Sequence, residues 1–151
     1  RRQVLVIGGR FTQALARLLV RQLSVVRDDV EEVGSLTATW ADRLIDVGRR
    51  TTVVAFDVRR YQPDVVRFVA AAADQHAAVV LFTDAASAPA ARHATHTLTA
   101  PVEGVGAWDS LTALLALTEA LVARATDLVG DEAADRLARL ERLRARLAEP
   151  E

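Results

Sequence analysis

Val4-Leu5-Val6-Ile7-Gly8-Gly9-Arg10-Phe11-Thr12 is the stretch that decides the fold. Its first four residues are apolar and mostly β-branched, with no polar residue alternating between them, as expected of a strand buried on both faces rather than one. The glycine pair then stops the strand and turns the chain. Helical spacing begins at once: Phe11, Leu15, Leu18, Leu19 and Leu23 recur on one face, with Arg17, Arg21 and Gln22 between them, predicting a helix over 11–25. A buried strand, a glycine turn and an amphipathic helix form the opening unit of an α/β domain.

The same alternation continues outward. Val30 to Val33 reads as a short second strand, and Ser35 or Thr37 is placed to cap a helix carrying Trp40, Leu44 and Val47 up to Gly48. Thr51 to Phe56 is again apolar and β-branched, and Pro63 opens a helix through Val66, Val69, Ala70 and Ala73. Val79 to Phe82 gives a fourth strand, Ser87 to Ala94 a short helix with Pro89 near its start, and His96 to Thr99 a fifth strand. Ala107 to Val129 reads as one long helix ended by Gly130, and Asp131 to Leu147 as a last, amphipathic one. The expectation is an α/β domain spanning 1–151, with a doubly wound, parallel five-stranded sheet flanked by helices, a flavodoxin-like three-layer sandwich. The long helix is apolar almost all round (Leu111, Leu114, Leu115, Leu117, Leu121, Val122, Leu128), so either a second subunit or the last helix must cover the face the sheet does not.

Composition removes several function classes. The chain has 151 residues, 51% hydrophobic, and no cysteine, which excludes disulfides, thiolate catalysis and thiolate zinc sites. All 19 basic side chains are arginine, so a Schiff-base lysine and a P-loop lysine are both impossible. The formal net charge of -1 lacks the basic excess that holds nucleic acid, and no apolar run reaches the roughly 18 residues of a membrane span. The expected protein is cytoplasmic.

Two loops follow buried strands with groups suited to an anion. Gly8-Gly9-Arg10-Phe11-Thr12 combines a tight turn, a helix N-terminus and a hydroxyl. It falls short of the dinucleotide fingerprint, having no third glycine after Thr12-Gln13-Ala14. Asp57-Val58-Arg59-Arg60-Tyr61-Gln62 offers two adjacent guanidinium groups, able either to grip a carboxylate or phosphate or to pair structurally with Asp57 or a second subunit. A phospho-receiver domain is excluded, because the first strand ends in glycine and arginine instead of acidic metal ligands and no lysine exists. His93-x-x-His96 spans a helix-to-strand junction and does not present both rings to one metal, and no Gly-x-Ser-x-Gly elbow occurs. No catalytic residue, metal site or cofactor is implied.

Taken together, these motifs resemble the sugar-isomerase (SIS) domain, in particular the version found in RpiR-type transcription regulators. Gly8-Gly9-Arg10-Phe11-Thr12 is similar to the family's Gly-x-Gly-x-Ser, with Thr12 at the hydroxyl position. The family's Ser-x-Ser-Gly-x-Thr-x-Glu falls on Asp57 to Asp64, where every hydroxyl is replaced, in an Asp-x-Arg-Arg-Tyr version that a subset of these regulators carries. Thr83-Asp84 matches a Thr-Asp pair, Ala88-Pro89 has lost a serine for which Ser87 can substitute, and Trp108-Asp109-Ser110 resembles an aromatic-Asp-Ser opening before the long helix. The resemblance implies an effector-binding and dimerising domain. Its ligand is a phosphosugar or sugar acid held by residues among Gly8, Gly9, Arg10, Thr12, Ser35, Asp57, Arg59, Arg60, Gln62 and Ser87. DNA contact falls to a helix-turn-helix segment preceding Arg1. A phosphosugar isomerase of the same fold, with Asp57, Asp84, His93 or Glu103 as base, and a dimerisation module with a decayed pocket are the rival readings.

Overall fold

The computed structural model describes residues 2–148. Five strands, β1 (Gln3–Gly8), β2 (Val30–Glu32), β3 (Thr51–Phe56), β4 (Ala78–Thr83) and β5 (His96–Thr99), form one sheet in the order β2-β1-β3-β4-β5. All pairings are parallel, with Val6 opposite Val54 and Val54 opposite Val80. The chain therefore moves from β1 outward to β2, returns across β1 to β3, and continues the other way, so strand order reverses between β1 and β3. The helices are α1 (Gln13–Val26), α2 (Trp40–Leu44), α3 (Pro63–Asp74), α4 (Thr112–Val129) and α5 (Asp131–Ala148).

Strand side chains alternate between two cores, as the two-residue pleat requires. Leu5, Ile7, Val53, Ala55, Val79 and Leu81 face α2 and α3, meeting Trp40, Val65, Phe68, Val69 and Ala72. Val4, Val6, Val54, Phe56 and Phe82 face α1 and α4, meeting Leu15, Ala16, Leu19, Leu23 and Leu114. In the first core Trp40 meets Phe68 edge to face at 5.7 Å and gives its indole N–H to the carbonyl of Gly34 at 3.1 Å. In the second, Phe56 and Phe82 stack at 4.6 Å across adjacent strands. A Cβ on Gly8 would lie 2.7 Å from the backbone of Gln13, so β1 must end in glycine for α1 to start this close.

Several expected boundaries move. The first helix begins at Gln13, leaving Phe11 61% exposed at its mouth instead of on the core face. Neither Ser35 nor Thr37 caps a helix: a 3-10 turn over Thr37–Thr39 runs into α2, its N-cap is Leu36, and no side chain caps it. The 87–94 helix is a 3-10 turn over Pro89–His93. The long helix starts at Thr112, because 107–111 is drawn into a loop in which Ser110 N–H bonds the carbonyl of Val102 at 2.8 Å. The last helix does little to cover α4. It lies mainly against α1, where the Arg136 guanidinium donates to the carbonyl of Ser24, and only Ala133 of α5 is buried.

Phe82→Ala should remove one ring of the Phe56 stack from a core with no exposure to relax into, costing about 3–5 kcal/mol with an unchanged urea m-value.

Candidate functional site

The carboxyl ends of β1, β3 and β4 bring the two predicted loops together at the strand-order reversal. Thr12, the N-cap of α1, is buried, and its hydroxyl is fully engaged: it accepts the Gly9 N–H at 2.8 Å and donates to the Phe56 carbonyl at 2.8 Å. Gly9 N–H also leans on that carbonyl at 3.3 Å. The β1 turn is thus bonded to the end of β3 through one side chain. Arg10 N–H, the next donor of the turn, bonds Gln62 Oε1, and a Cβ on Gly9 would run into that same oxygen. Gln62 consequently lies across the glycine turn.

Asp57 follows β3 and is buried, 2% exposed. Its Oδ1 accepts the Gln62 N–H at 3.1 Å, while its Oδ2 is buried with no hydrogen-bond partner. Burial pushes its carboxyl up to about 6; the Gln62 N–H opposes the shift and the nearby Asp84 charge adds to it. Asp84 gathers the neighbouring donors: Arg59 N–H at 3.1 Å, the Tyr61 hydroxyl at 3.0 Å and, more loosely, the Thr83 hydroxyl at 3.4 Å. Burial, then the hydrogen bond to Asp84, raises the Tyr61 hydroxyl above its ordinary value.

Arg59 does not pair with Asp57. Its Nε donates to Asp109 Oδ1 at 3.0 Å, Nη2 reaches the same oxygen, and Nη1 lies 3.5 Å from Glu103 Oε1. The bond to Arg59 holds the Asp109 carboxyl below the usual carboxylate range and raises Arg59 in return. Arg60 is exposed and sits at φ +63, a left-handed conformation that costs a non-glycine residue on the order of 1 kcal/mol and collects at functional loops. Above the turn, Arg10 stacks over Phe11 at 5.1 Å, and Trp108 meets Phe11 edge to face at 6.4 Å.

Gly8, Gly9, Arg10, Thr12, Asp57, Arg59, Arg60 and Gln62 are therefore neighbours at one end of the sheet. Ser35 lies exposed in the loop after β2, and Ser87 lines a shallow groove with Ala86, Pro89, Arg92 and Thr97; among the described residues neither is hydrogen-bonded to that cluster. Three contributors went unassigned by sequence reasoning: Tyr61, and Asp109 with Glu103 as partners of Arg59. The adjacency of Tyr61 to Arg60 and the Thr83-Asp84 pair were the available signals.

An all-parallel sheet whose glycine turn meets an arginine-bearing loop where strand order reverses defines a doubly wound α/β domain of the flavodoxin type. The family model "SIS domain" matches residues 1–124, and the chain belongs to that family. Among solved structures, the sugar isomerase domain of an RpiR transcription factor from Sphaerobacter thermophilus superposes with a TM-score of 0.88 at 27% identity, over 93% of this chain and 78% of that one. The Vibrio vulnificus NanR protein, complexed with ManNAc-6P, gives 0.80 at 17% identity over 99% of this chain and 58% of its own. An E. coli CFT073 protein solved in complex with a ligand gives 0.72 at 16%, over 85% and 71%. No curated protein matches the chain. Among the described residues no helix is long and apolar enough to cross a membrane.

Two consequences are measurable. Thr12→Val should cost about 1–2 kcal/mol in urea unfolding by removing both hydroxyl bonds and leaving Gly9 N–H only its longer bond to the Phe56 carbonyl, whereas Thr12→Ser should retain most of the stability. Asp57 has a folded pKa of about 6 against an ordinary 3.8, so the folded state binds its proton more tightly. Its contribution therefore favours folding as pH falls from about 6 towards 4 and opposes folding above that. Asp57→Asn keeps the Oδ1 acceptor and should be about 1–2 kcal/mol more stable than wild type near pH 7.5, the advantage vanishing near pH 4. A pH-independent difference would refute the buried-charge account.

Proposed function

We propose that this chain is the effector-sensing and dimerising domain of an RpiR-like transcription regulator, acting in the cytoplasm on a small anionic carbohydrate derivative, either a phosphosugar or a sugar acid. What carries the reading is the meeting of the Gly9-Arg10 turn, through Gln62, with the loop after β3 that bears Arg59 and Arg60, at the strand-order reversal. The similarity to an RpiR factor at 27% identity supports it, as do two more distant neighbours solved in complex with ligands, one of them ManNAc-6P. Guanidinium forks match both phosphate and carboxylate oxygens, which is why both ligand classes are retained.

The domain works by binding, without turnover or cofactor. Gly8, Gly9, Arg10, Asp57, Arg59, Arg60 and Gln62 would frame the ligand, Thr12 would hold the turn in shape, and Ser35 and Ser87 would line the outer rim. Two subunits would pack through the incompletely covered surface of α4, where Leu128 is 71% exposed and Leu115, Leu117 and Leu121 are half-buried. Ligand occupancy would shift the placement of the two subunits and with it the spacing of DNA readers carried elsewhere in the regulator.

A thermal-shift screen of phosphosugars, amino-sugar phosphates, sugar acids and small carboxylates tests this directly. A ligand at about a hundred times its dissociation constant adds roughly 2.7 kcal/mol, a shift of several degrees for a domain of this size. The hit should be lost in Arg60→Ala. Stabilisation by no class would favour the dimerisation module, and turnover of a sugar phosphate that Asp57→Asn abolishes would favour an isomerase.

A further inference from the structure

Arg59 faces two carboxylates that belong to one loop. Residues 103–109 form a loop between β5 and α4, closed at its base where the Ser110 N–H bonds the Val102 carbonyl at 2.8 Å. Glu103 and Asp109 therefore stand at the two feet of the loop, and Arg59 is the cation between them. The tip carries little to hold it: Val105 is 96% exposed and Trp108 74% exposed, with its edge on Phe11. Three residues beyond Asp109, α4 begins.

The grip on Arg59 is also mismatched. Its Nε and Nη2 both converge on Oδ1 of Asp109, whereas a guanidinium fork is satisfied best by two oxygens held side by side. A phosphate or carboxylate that offers two oxygens makes the better bond and takes Arg59 from the loop. Glu103 and Asp109 then lose the cation they share, and two like charges at adjoining feet repel.

Resting on the sensor reading, we infer that Glu103 and Asp109 are built-in competitors for Arg59, so that an anionic ligand displaces the 103–109 loop and transmits its arrival to the start of α4. The loop carboxylates thereby also set specificity, since only an anion able to engage the fork with two oxygens outcompetes them.

The test uses inorganic phosphate as probe and Trp108 as reporter, in a Trp40→Phe background that removes the other, buried tryptophan. Phosphate should change Trp108 emission. Asp109→Asn, which weakens the competitor, should tighten phosphate binding by about two- to fivefold, the scale of one exposed ion pair. Arg59→Gln should abolish binding and show the liganded Trp108 signal without phosphate. Phosphate binding that is unchanged, weaker or absent in Asp109→Asn overturns the inference, as does a Trp108 signal indifferent to phosphate. The two readings fail separately. If the sugar screen is empty but Asp109→Asn gains phosphate affinity, the competitor stands without the sensor. If a sugar phosphate binds wild type and Asp109→Asn alike, the sensor stands without the competitor.

Discussion

The bond of the Thr12 hydroxyl to the Phe56 carbonyl holds the rest of this end of the molecule in place. It ties the N-cap of α1 to β3 at the last of the ladder pairs between β1 and β3, Gly8 opposite Phe56, the two strands that flank the reversal of strand order. Because the same oxygen accepts Gly9 N–H, the glycine turn, the helix start and the β3 end share one geometry. Every distance in the loop after β3 is measured from that frame: Asp57 N–H continues it by bonding the Phe82 carbonyl at 3.0 Å, and Gln62 returns to the turn through Arg10. The Thr12 hydroxyl is therefore structural first, with its donor and one acceptor position both spent on the backbone.

Charge organises the layer above that frame. Asp57 is held below the surface with one oxygen unbonded, Asp84 collects three donors, and Arg59 is drawn sideways to Asp109 and Glu103. The result alternates acids and guanidinium groups, unlike a uniformly basic anion site. Buried Asp57 is costly there at neutral pH, a departure from stability of the kind that collects at functional sites.

Most of the fold was legible because three strands are buried on both faces. Val4 to Ile7, Thr51 to Phe56 and Val79 to Phe82 have no polar alternation, so their sequences admit few other placements. The co-location of the GGRFT and DVRRYQ loops followed from topology alone, since both leave the carboxyl ends of adjacent parallel strands. What the sequence hid were partnerships across long separations. Arg59 has Asp57 two residues away yet bonds Asp109, because the turn at Arg60 and the burial of Asp57 point the two side chains apart. The start of α4 departs from the sequence pattern for a related reason: Trp108 and Asp109 fit a helical pattern, but their contacts with Phe11 and Arg59 hold them in a loop. Phe11 keeps helical spacing while lying outside the helix, an error that periodicity alone cannot correct.

The exposed leucines of α5 imply a molecule with two tiers of cooperativity. Leu137, Leu143 and Leu147 are 44%, 46% and 88% exposed, and no α5 leucine joins either core. A helix of 18 residues tied to α1 by one buried alanine and the Arg136–Ser24 bonds gains little from burial, and isolated helices of that length are marginal in water. With its leucines outside both cores, α5 adds little to the cooperative unit built on the sheet, so the energetic boundary of the domain falls inside the chain, near where the family match ends at residue 124.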